Sequence, residues 1–401
     1  VLTRRGFLAA GALLGGGFVV GCRRERATSP AGPQDAAPAT SAYAVPAVGP
    51  AARPTLPRQG LALGGGRGAD KEGGPTRYWL SVVDLDRGQR IAEIPTEFFP
   101  HGVAVHPNAP HVVMLFEKHG KGCCEVDLRA RRVTETVRTI DGYEFYGHGA
   151  YSQDGRQLYC TETAVDDGYR GLLRVRDAAS FEALGELPTG GKEPHDCVLI
   201  DGGKTLVVTN GGGHVDNGGE GTVTYVDLAA REVRHTLRFA DRGLNAGHVA
   251  VTGRGELAIV SAPMAGLDPK DPQVHGALSF FSPSRDTRPR TVTDPIALAM
   301  RGETLSVAIH EPSMVVGATN PDGDLVTFWE FATGKLLKSH RTIPGARGIA
   351  VTLDQRYFVV TYGPSAALVH IDVKTLEPRF EGQLARSWIT GSHVLCHDLA
   401  G

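Results

Sequence analysis

The feature that most constrains how this chain of 401 residues can fold is a unit that it repeats. The leading segment of the unit reads His101-Gly-Val-Ala-Val-His106, then His148-Gly-Ala-Tyr-Ser152, His195-Asp-Cys-Val-Leu199, His248-Val-Ala-Val251, Leu305-Ser-Val-Ala-Ile309, Arg347-Gly-Ile-Ala-Val351 and His393-Val-Leu-Cys396. Seven copies follow one another at steps of 42 to 57 residues. Within a copy, a small-residue segment leads to a turn such as Gln153-Asp154-Gly155 and a second apolar segment such as Gln157 to Thr161. A polar loop, a segment ending in Val-Asp-Leu or a close variant (Val83-Asp84-Leu85, Val126-Asp127-Leu128, Val226-Asp227-Leu228, Ile371-Asp372-Val373) and a fourth segment complete it. Alternation as in Thr222-Val-Thr-Tyr-Val226 has the period of a strand, and no stretch of the body sustains a helical period.

A repeat of roughly 40 to 50 residues built from four short strands is the length of one propeller blade. The chain is therefore expected to be all-β, a seven-bladed β-propeller. The last copy holds only its first strand, from His393 to Ala400, while the body opens at Gln59 with what read as strands two to four: Leu61 to Leu63, Tyr78 to Leu85 and Arg90 to Ile94. Pairing the C-terminal strand with the N-terminal blade completes the ring and removes exposed sheet edges. An open solenoid or two sandwiches would leave those ends unexplained.

Ahead of the body, Thr3-Arg4-Arg5-Gly6-Phe7-Leu8 precedes an apolar run from Ala9 to Val20 that is too short for a permanent membrane span. The paired arginines resemble a twin-arginine (Tat) export signal, and Val19-Val20-Gly21-Cys22 resembles a lipobox whose cysteine is acylated. Residues 1–22 are thus expected to be a Tat/lipoprotein signal and 23–58 a Pro/Ala-rich tether, with the propeller over 59–401. The resemblance implies export to the periplasm or cell exterior, with membrane attachment only through Cys22. With 42 Lys and Arg against 44 Asp and Glu, the chain has no basic excess for binding nucleic acid. Once Cys22 is set aside, Cys123, Cys124, Cys160, Cys197 and Cys396 remain, an odd number that declares no disulfide framework.

Tyr146-Gly-His-Gly149, Ser152-Gln-Asp-Gly155, Leu158-Tyr-Cys-Thr-Glu162, Glu193-Pro-His-Asp196 and Thr205-Leu-Val-Val-Thr-Asn-Gly-Gly212 resemble secreted YVTN-type bacterial propellers. More closely, they resemble a family of Tat-exported seven-bladed propellers, domain of unknown function 1513, often encoded near periplasmic iron-acquisition proteins. What this resemblance implies is fold, export and a hint of metal. The run Ser392-His393-Val-Leu-Cys-His397 departs from the family pattern, so the equivalence of His393 rests on less than that of His148 or His195.

In a propeller the first strand of each blade lines the central channel. The leading position of that strand holds His101, His148, His195, His248, Leu305, Arg347 and His393, five histidines of seven in a chain with 15 among 401 residues. A ring of neutral imidazoles is a metal site in waiting and suits copper, iron, zinc or nickel, with iron and copper foremost. A multi-histidine copper cluster at the hub of nitrous oxide reductase, similar only in architecture and histidine placement, supplies an analogy and nothing more. Two other readings stay open. The histidines can be structural, satisfying channel water and carbonyls, on a scaffold that engages a periplasmic protein partner; or they can serve a small anionic ligand. A metal-dependent oxidoreductase or lactonase-like enzyme is a third class, for which Glu162 is the candidate acid or base.

Arg347 brings a permanent charge into the ring and can clamp a carboxylate or phosphate, so a small anionic metal complex would suit both arginine and histidines. Long polar loops between second and third strands are expected at Gly64 to Arg77, Glu117 to Gly122, Glu162 to Gly171, Asn210 to Gly221 and Ala262 to Gly276, on the same end as the histidines. Of their polar residues, which include His119, His214 and His275, Glu162 and Asn210 are the candidate binding residues. The glycine runs lack the Lys-Ser/Thr ending and the helix of a phosphate loop. Cys197 stands two residues from His195 and reads either as a soft ligand or as core.

Overall fold

A computed structural model describes residues 58–69 and 74–399, all within the compact unit Thr55–Gly401. The expected signal segment, the acylated Cys22 and nearly all of the tether lie outside the described residues. Among the described residues every regular element is a strand except two 3-10 turns, Val215–Asn217 and Pro295–Ala299. Among the described residues no helix is long and apolar enough to cross a membrane.

The chain is an all-β β-propeller in which the first and last described strands share one sheet. Leu395–His397 pairs antiparallel with Leu61–Gly68, placing Leu61 opposite His397 and Leu63 opposite Leu395, and the sheet continues through Arg77–Asp84 to Gln89–Thr96. Side chains reinforce the junction. The Trp79 indole donates to the Trp388 carbonyl at 3.0 Å, and the Ser81 hydroxyl to the Ser387 carbonyl at 2.5 Å. Four further four-stranded sheets begin at Pro194, Val249, Ser306 and Ile349. Between Pro100 and Lys192 the chain forms one continuous eight-stranded sheet instead of two separate units. Its two meanders are joined where Lys118 and Gly120 of strand Val112–Gly120 pair with Tyr146 and Phe145 of strand Tyr143–Tyr151.

The core lies between successive sheets. Leu63, Leu80 and Ile94 of the terminal sheet pack on Val113, Leu115 and Val126 of the next, and Val326 and Phe328 pack on Phe358, Val360 and Val369. Each such fully buried aliphatic or aromatic side chain contributes roughly 1.5–3 kcal/mol. Fourth strands face outward, as the largely exposed Pro378–Leu384 illustrates.

The recurring Val-Asp-Leu signature is turn chemistry. Asp127, Asp177, Asp227 and Asp372 each accept backbone N–H groups two or three residues ahead, forming Asx turns between third and fourth strands. Three of the expected long loops are shorter than the sequence suggests. Gly64–Gly68 belongs to the strand Leu61–Gly68, Lys121 alone separates Val112–Gly120 from Gly122–Asp127, and Gln157–Ala164 extends past Glu162. The loops after Asn210 and Ser261 are long as expected.

Candidate metal centre

Three histidines are aimed by irregularities in their strands. Pro100–Val105 pairs Pro100 with Glu117 and then Gly102 with Phe116, leaving His101 unpaired between them. In Tyr143–Tyr151 the ladder breaks between Phe145 and Gly149, around His148, and in Pro194–Ile200 between Pro194 and Cys197, around His195. A bulge of this kind bends a strand and redirects a side chain. His248 and His393 stand just ahead of the short strands Val249–Val251 and Leu395–His397.

Threonines on the second strands hold these leading segments in place. Thr161 Oγ1 accepts the His148 N–H at 3.2 Å and donates to the His148 carbonyl at 2.9 Å. Thr209 Oγ1 accepts the Asp196 N–H at 2.9 Å and donates to the Gly247 carbonyl of the next sheet at 2.5 Å. Thr319 Oγ1 does the same to the Arg347 carbonyl at 2.5 Å.

The histidines converge. One potential donor atom from each of His101, His148, His195 and His248 lies within 4.8 Å of all the others. His195 Nε2 is 2.8 Å from His248 Nε2. His393 joins them, its Nε2 3.3 Å from His101 Nε2 and its ring centroid 3.9 Å from that of His248. Glycine permits this crowding: Gly147 has φ +110°, and a Cβ there would sit 2.6 Å from His101 Cδ2.

Asp196 lies behind two of the rings. Its Oδ1 is 3.4 Å from His148 Nδ1 and its Oδ2 3.5 Å from His248 Nδ1, while the Val249 N–H donates to Oδ2 at 3.3 Å. Burial opposes its ionisation, but His148, His248 and that N–H outweigh it and hold the carboxyl down at about 2. A carboxylate on the Nδ1 side favours the Nδ1–H tautomer and leaves the Nε2 lone pair for a ligand. His148 Nε2 is indeed buried and has no hydrogen-bond partner, a state that calls for an explanation such as an ion.

Burial, the Lys118 ammonium and the neighbouring imidazoles hold His101 and His195 well below the usual imidazole range. Burial, followed by His248 and His101, does the same for His393. Burial lowers His148 to about 4 against the opposing Asp196 carboxylate. These four rings are neutral near pH 7, the form that binds metal.

The other candidate residues have different surroundings. Glu162 is fully buried, and its carboxylate takes the Thr139 hydroxyl at 2.7 Å, Arg176 Nη2 at 3.0 Å and Arg174 Nε at 3.3 Å. The Asn210 side-chain amide donates to the Thr189 carbonyl and to the hydroxyls of Thr222 and Thr224, each at 3.3 Å, while its Oδ1 has no partner. Arg347 has its Nε buried without a hydrogen-bond partner. His214 caps the turn Val215–Asn217, and His275 Nδ1 contacts the Gly276 carbonyl, so neither is drawn into the cluster. Cys197 is core: the irregularity after Pro194 breaks the simple alternation with His195, and the thiol packs with Tyr159, Leu173, Val208 and Val226.

Sequence reasoning missed Asp196, Lys118 and the threonines. Recurrent Thr at second-strand ends, in Val208-Thr209-Asn210, Ala318-Thr319-Asn320 and Val360-Thr361-Tyr362, was a signal for the last of these. Lys118 had no such signal, because its copy alone carries lysine there.

Fold and site together define a β-propeller with a buried four-histidine cluster that could hold a metal ion. The match to DUF1513, a family described as protein of unknown function, spans residues 94–388, and the chain belongs to that family. No curated protein matches it. Among solved structures it is similar to hydrazine synthase of Kuenenia stuttgartiensis, with TM-score 0.60 and 13% identity over 74% of this chain and 92% of that one. It is also similar to the β-propeller domain of Cps50 (Swd1) from Myceliophthora thermophila, with TM-score 0.52 and 13% identity over 80% of this chain and 94% of that one. At such identities these likenesses speak to fold alone.

Proposed function

We propose that this protein is an exported, lipid-anchored propeller that binds a transition metal, iron or copper, at its hub. In this reading the eight-stranded sheet counts as two blades and the ring has seven. The paired Arg4-Arg5 and Cys22 direct Tat export and acylation, and residues 23–58 tether the ring on the periplasmic or outer side of the membrane.

One observation carries the metal reading: imidazoles from separate repeats meet within 4.8 Å, with His148 Nε2 buried, unpartnered and backed at Nδ1 by Asp196. Purely structural histidines would each be engaged by their own blade; these engage one another. His101, His148, His195, His248 and His393 supply imidazole nitrogen donors, a set suited to copper or iron.

Elemental analysis of protein folded in metal-replete medium tests the proposal. About one equivalent of copper or iron per chain is expected in the wild type, lost in the His148→Ala, His195→Ala double variant. A metal content near zero in folded wild type, or one that the double variant retains, would overturn it.

A further inference from the structure

The strand Ser306–His310 follows Leu305, the counterpart of the clustered histidines, so its last residue stands at the far end of the strand from the candidate metal centre. There the His310 ring is fixed on three sides. Its Nε2 lies 3.1 Å from the Gln355 carbonyl oxygen, its Nδ1 lies 2.7 Å from Ser313 Oγ, and the Phe358 ring stands edge-on with centroids 6.4 Å apart. A carbonyl oxygen can only accept, so Nε2 carries the proton and Nδ1 holds a lone pair. The Ser313 hydroxyl therefore donates to His310. Burial holds His310 below the usual imidazole range, against the opposing Gln355 carbonyl, and the ring is neutral near pH 7.

Ser313 sits on a tight turn. Its N–H donates to the His310 carbonyl at 3.3 Å, the Met314 N–H donates to the Glu311 carbonyl at 3.2 Å, and Met314 adopts φ +52°. His310 is buried, whereas Ser313 is exposed. Both line a cleft of about 840 Å³ whose apolar wall is Pro312, Val315, Leu337, Val373 and Leu376. Arg356 and Lys374 line the same cleft.

A nucleophile, a base within hydrogen-bond reach of it and a third group that orients the base are the parts that acyl transfer requires. We propose that Ser313 is a nucleophile and His310 its general base, in a second site that hydrolyses carboxylic esters with an apolar acyl group. The proposal is independent of the metal-binding reading. Ser313 Oγ bonds to the ester carbonyl carbon while its proton passes to His310 Nδ1 and the carbonyl π pair moves onto oxygen. Collapse restores the carbonyl and breaks the bond to the alcohol oxygen, which leaves with the proton from Nδ1. Water then attacks the acyl-serine by the same route, and the carboxylic acid departs. The Nε2–H stays on the Gln355 carbonyl and supports the imidazolium that forms at each step. Arg356 and Lys374 bring positive charge to the cleft in which the carbonyl oxygen becomes negative, and the apolar wall suits the acyl chain.

Fluorophosphonate labelling of the full chain, read by mass spectrometry, and hydrolysis of p-nitrophenyl acetate, butyrate and octanoate test the assignment. The variants are Ser313→Ala and His310→Gln, each checked for a cooperative melt. The wild type is expected to take a single phosphonyl group at Ser313 and to favour butyrate or octanoate over acetate, with neither readout changed by EDTA. Ser313→Ala should lose the adduct and lower kcat/KM about a hundredfold or more, and His310→Gln should lower it as far. His310 also anchors Gln355, so where His310→Gln melts poorly the exposed Ser313→Ala decides. No adduct in folded wild type overturns the proposal. So does ester turnover that Ser313→Ala retains or that EDTA abolishes, and a preference for acetate overturns the apolar acyl class.

Discussion

Gly147 illustrates how a residue without a side chain can govern a site made of large ones. It occupies the left-handed region at φ +110°, and a Cβ there would meet the His101 ring at 2.6 Å. Gly147→Ala should therefore lower stability by about 1–3 kcal/mol through backbone strain. It should also displace the His101 imidazole and weaken copper binding about tenfold or more, an effect of the size seen when a supporting group is lost. Thermal melting and equilibrium dialysis check the two parts; unchanged copper affinity in a folded variant would contradict the placement of His101. The histidines themselves were legible in the sequence because repetition aligned them in one column. Lys118 and Asp196 were not, since each occurs in a single copy and acts through spatial neighbours. Glu162 and Asn210 were expected to reach toward the hub from second strands. In the strand Gln157–Ala164 it is Thr161, one residue earlier, whose hydroxyl meets the histidine segment. Glu162, on the opposite side of the pleat, goes to Arg174 and Arg176.

Between third and fourth strands, the turn, an Asx turn in most repeats, closes on a residue in the left-handed region. Glycine fills that place at Gly88 and Gly334, but Arg131, Phe181, Arg231 and Leu376 adopt it with φ between +54° and +59°. Four residues, Leu128 to Arg131, join the paired Asp127 and Arg132, and a ladder shift follows between Glu125 and Val126, a four-residue hairpin loop with a bulge close behind it. Arg131 is exposed. Replacing it with glycine relieves the left-handed strain by more than it adds to chain entropy, so Arg131→Gly should stabilise the fold by about 0.5–1 kcal/mol. Denaturant unfolding would register this as a higher midpoint at constant slope; a lower midpoint would mean the turn is not strained. Strand identity and order were readable from alternation and from these Asp turns. Strand length was less so. The glycine run at Gly64 to Gly68 reads as a loop, yet it is strand, because glycine lets the backbone pass close to its neighbours: a Cβ at Gly65 would lie 1.9 Å from the Pro100 carbonyl oxygen.

On the scale of the whole molecule, the first and last described strands are one sheet. Incomplete repeats at both ends of the body foretold that closure, and the pairing of Leu61–Gly68 with Leu395–His397 realises it. The merger of eight strands between Pro100 and Lys192 was not foretold, since it depends on two residue pairs, Lys118 with Tyr146 and Gly120 with Phe145, that no repeat pattern marks. Ring closure has a consequence for chemistry. It carries histidines separated by as many as 292 residues, His101 and His393, to within 3.3 Å of each other, a preorganisation that no single blade could supply. X-ray absorption at the metal edge of copper-loaded protein probes that convergence most directly. The expected spectrum has the outer-shell scattering of several imidazole rings bound through nitrogen, and it loses that signature in the His148→Ala, His195→Ala double variant. A first shell of oxygen donors without imidazole scattering, or a spectrum the double variant leaves unchanged, would contradict the account.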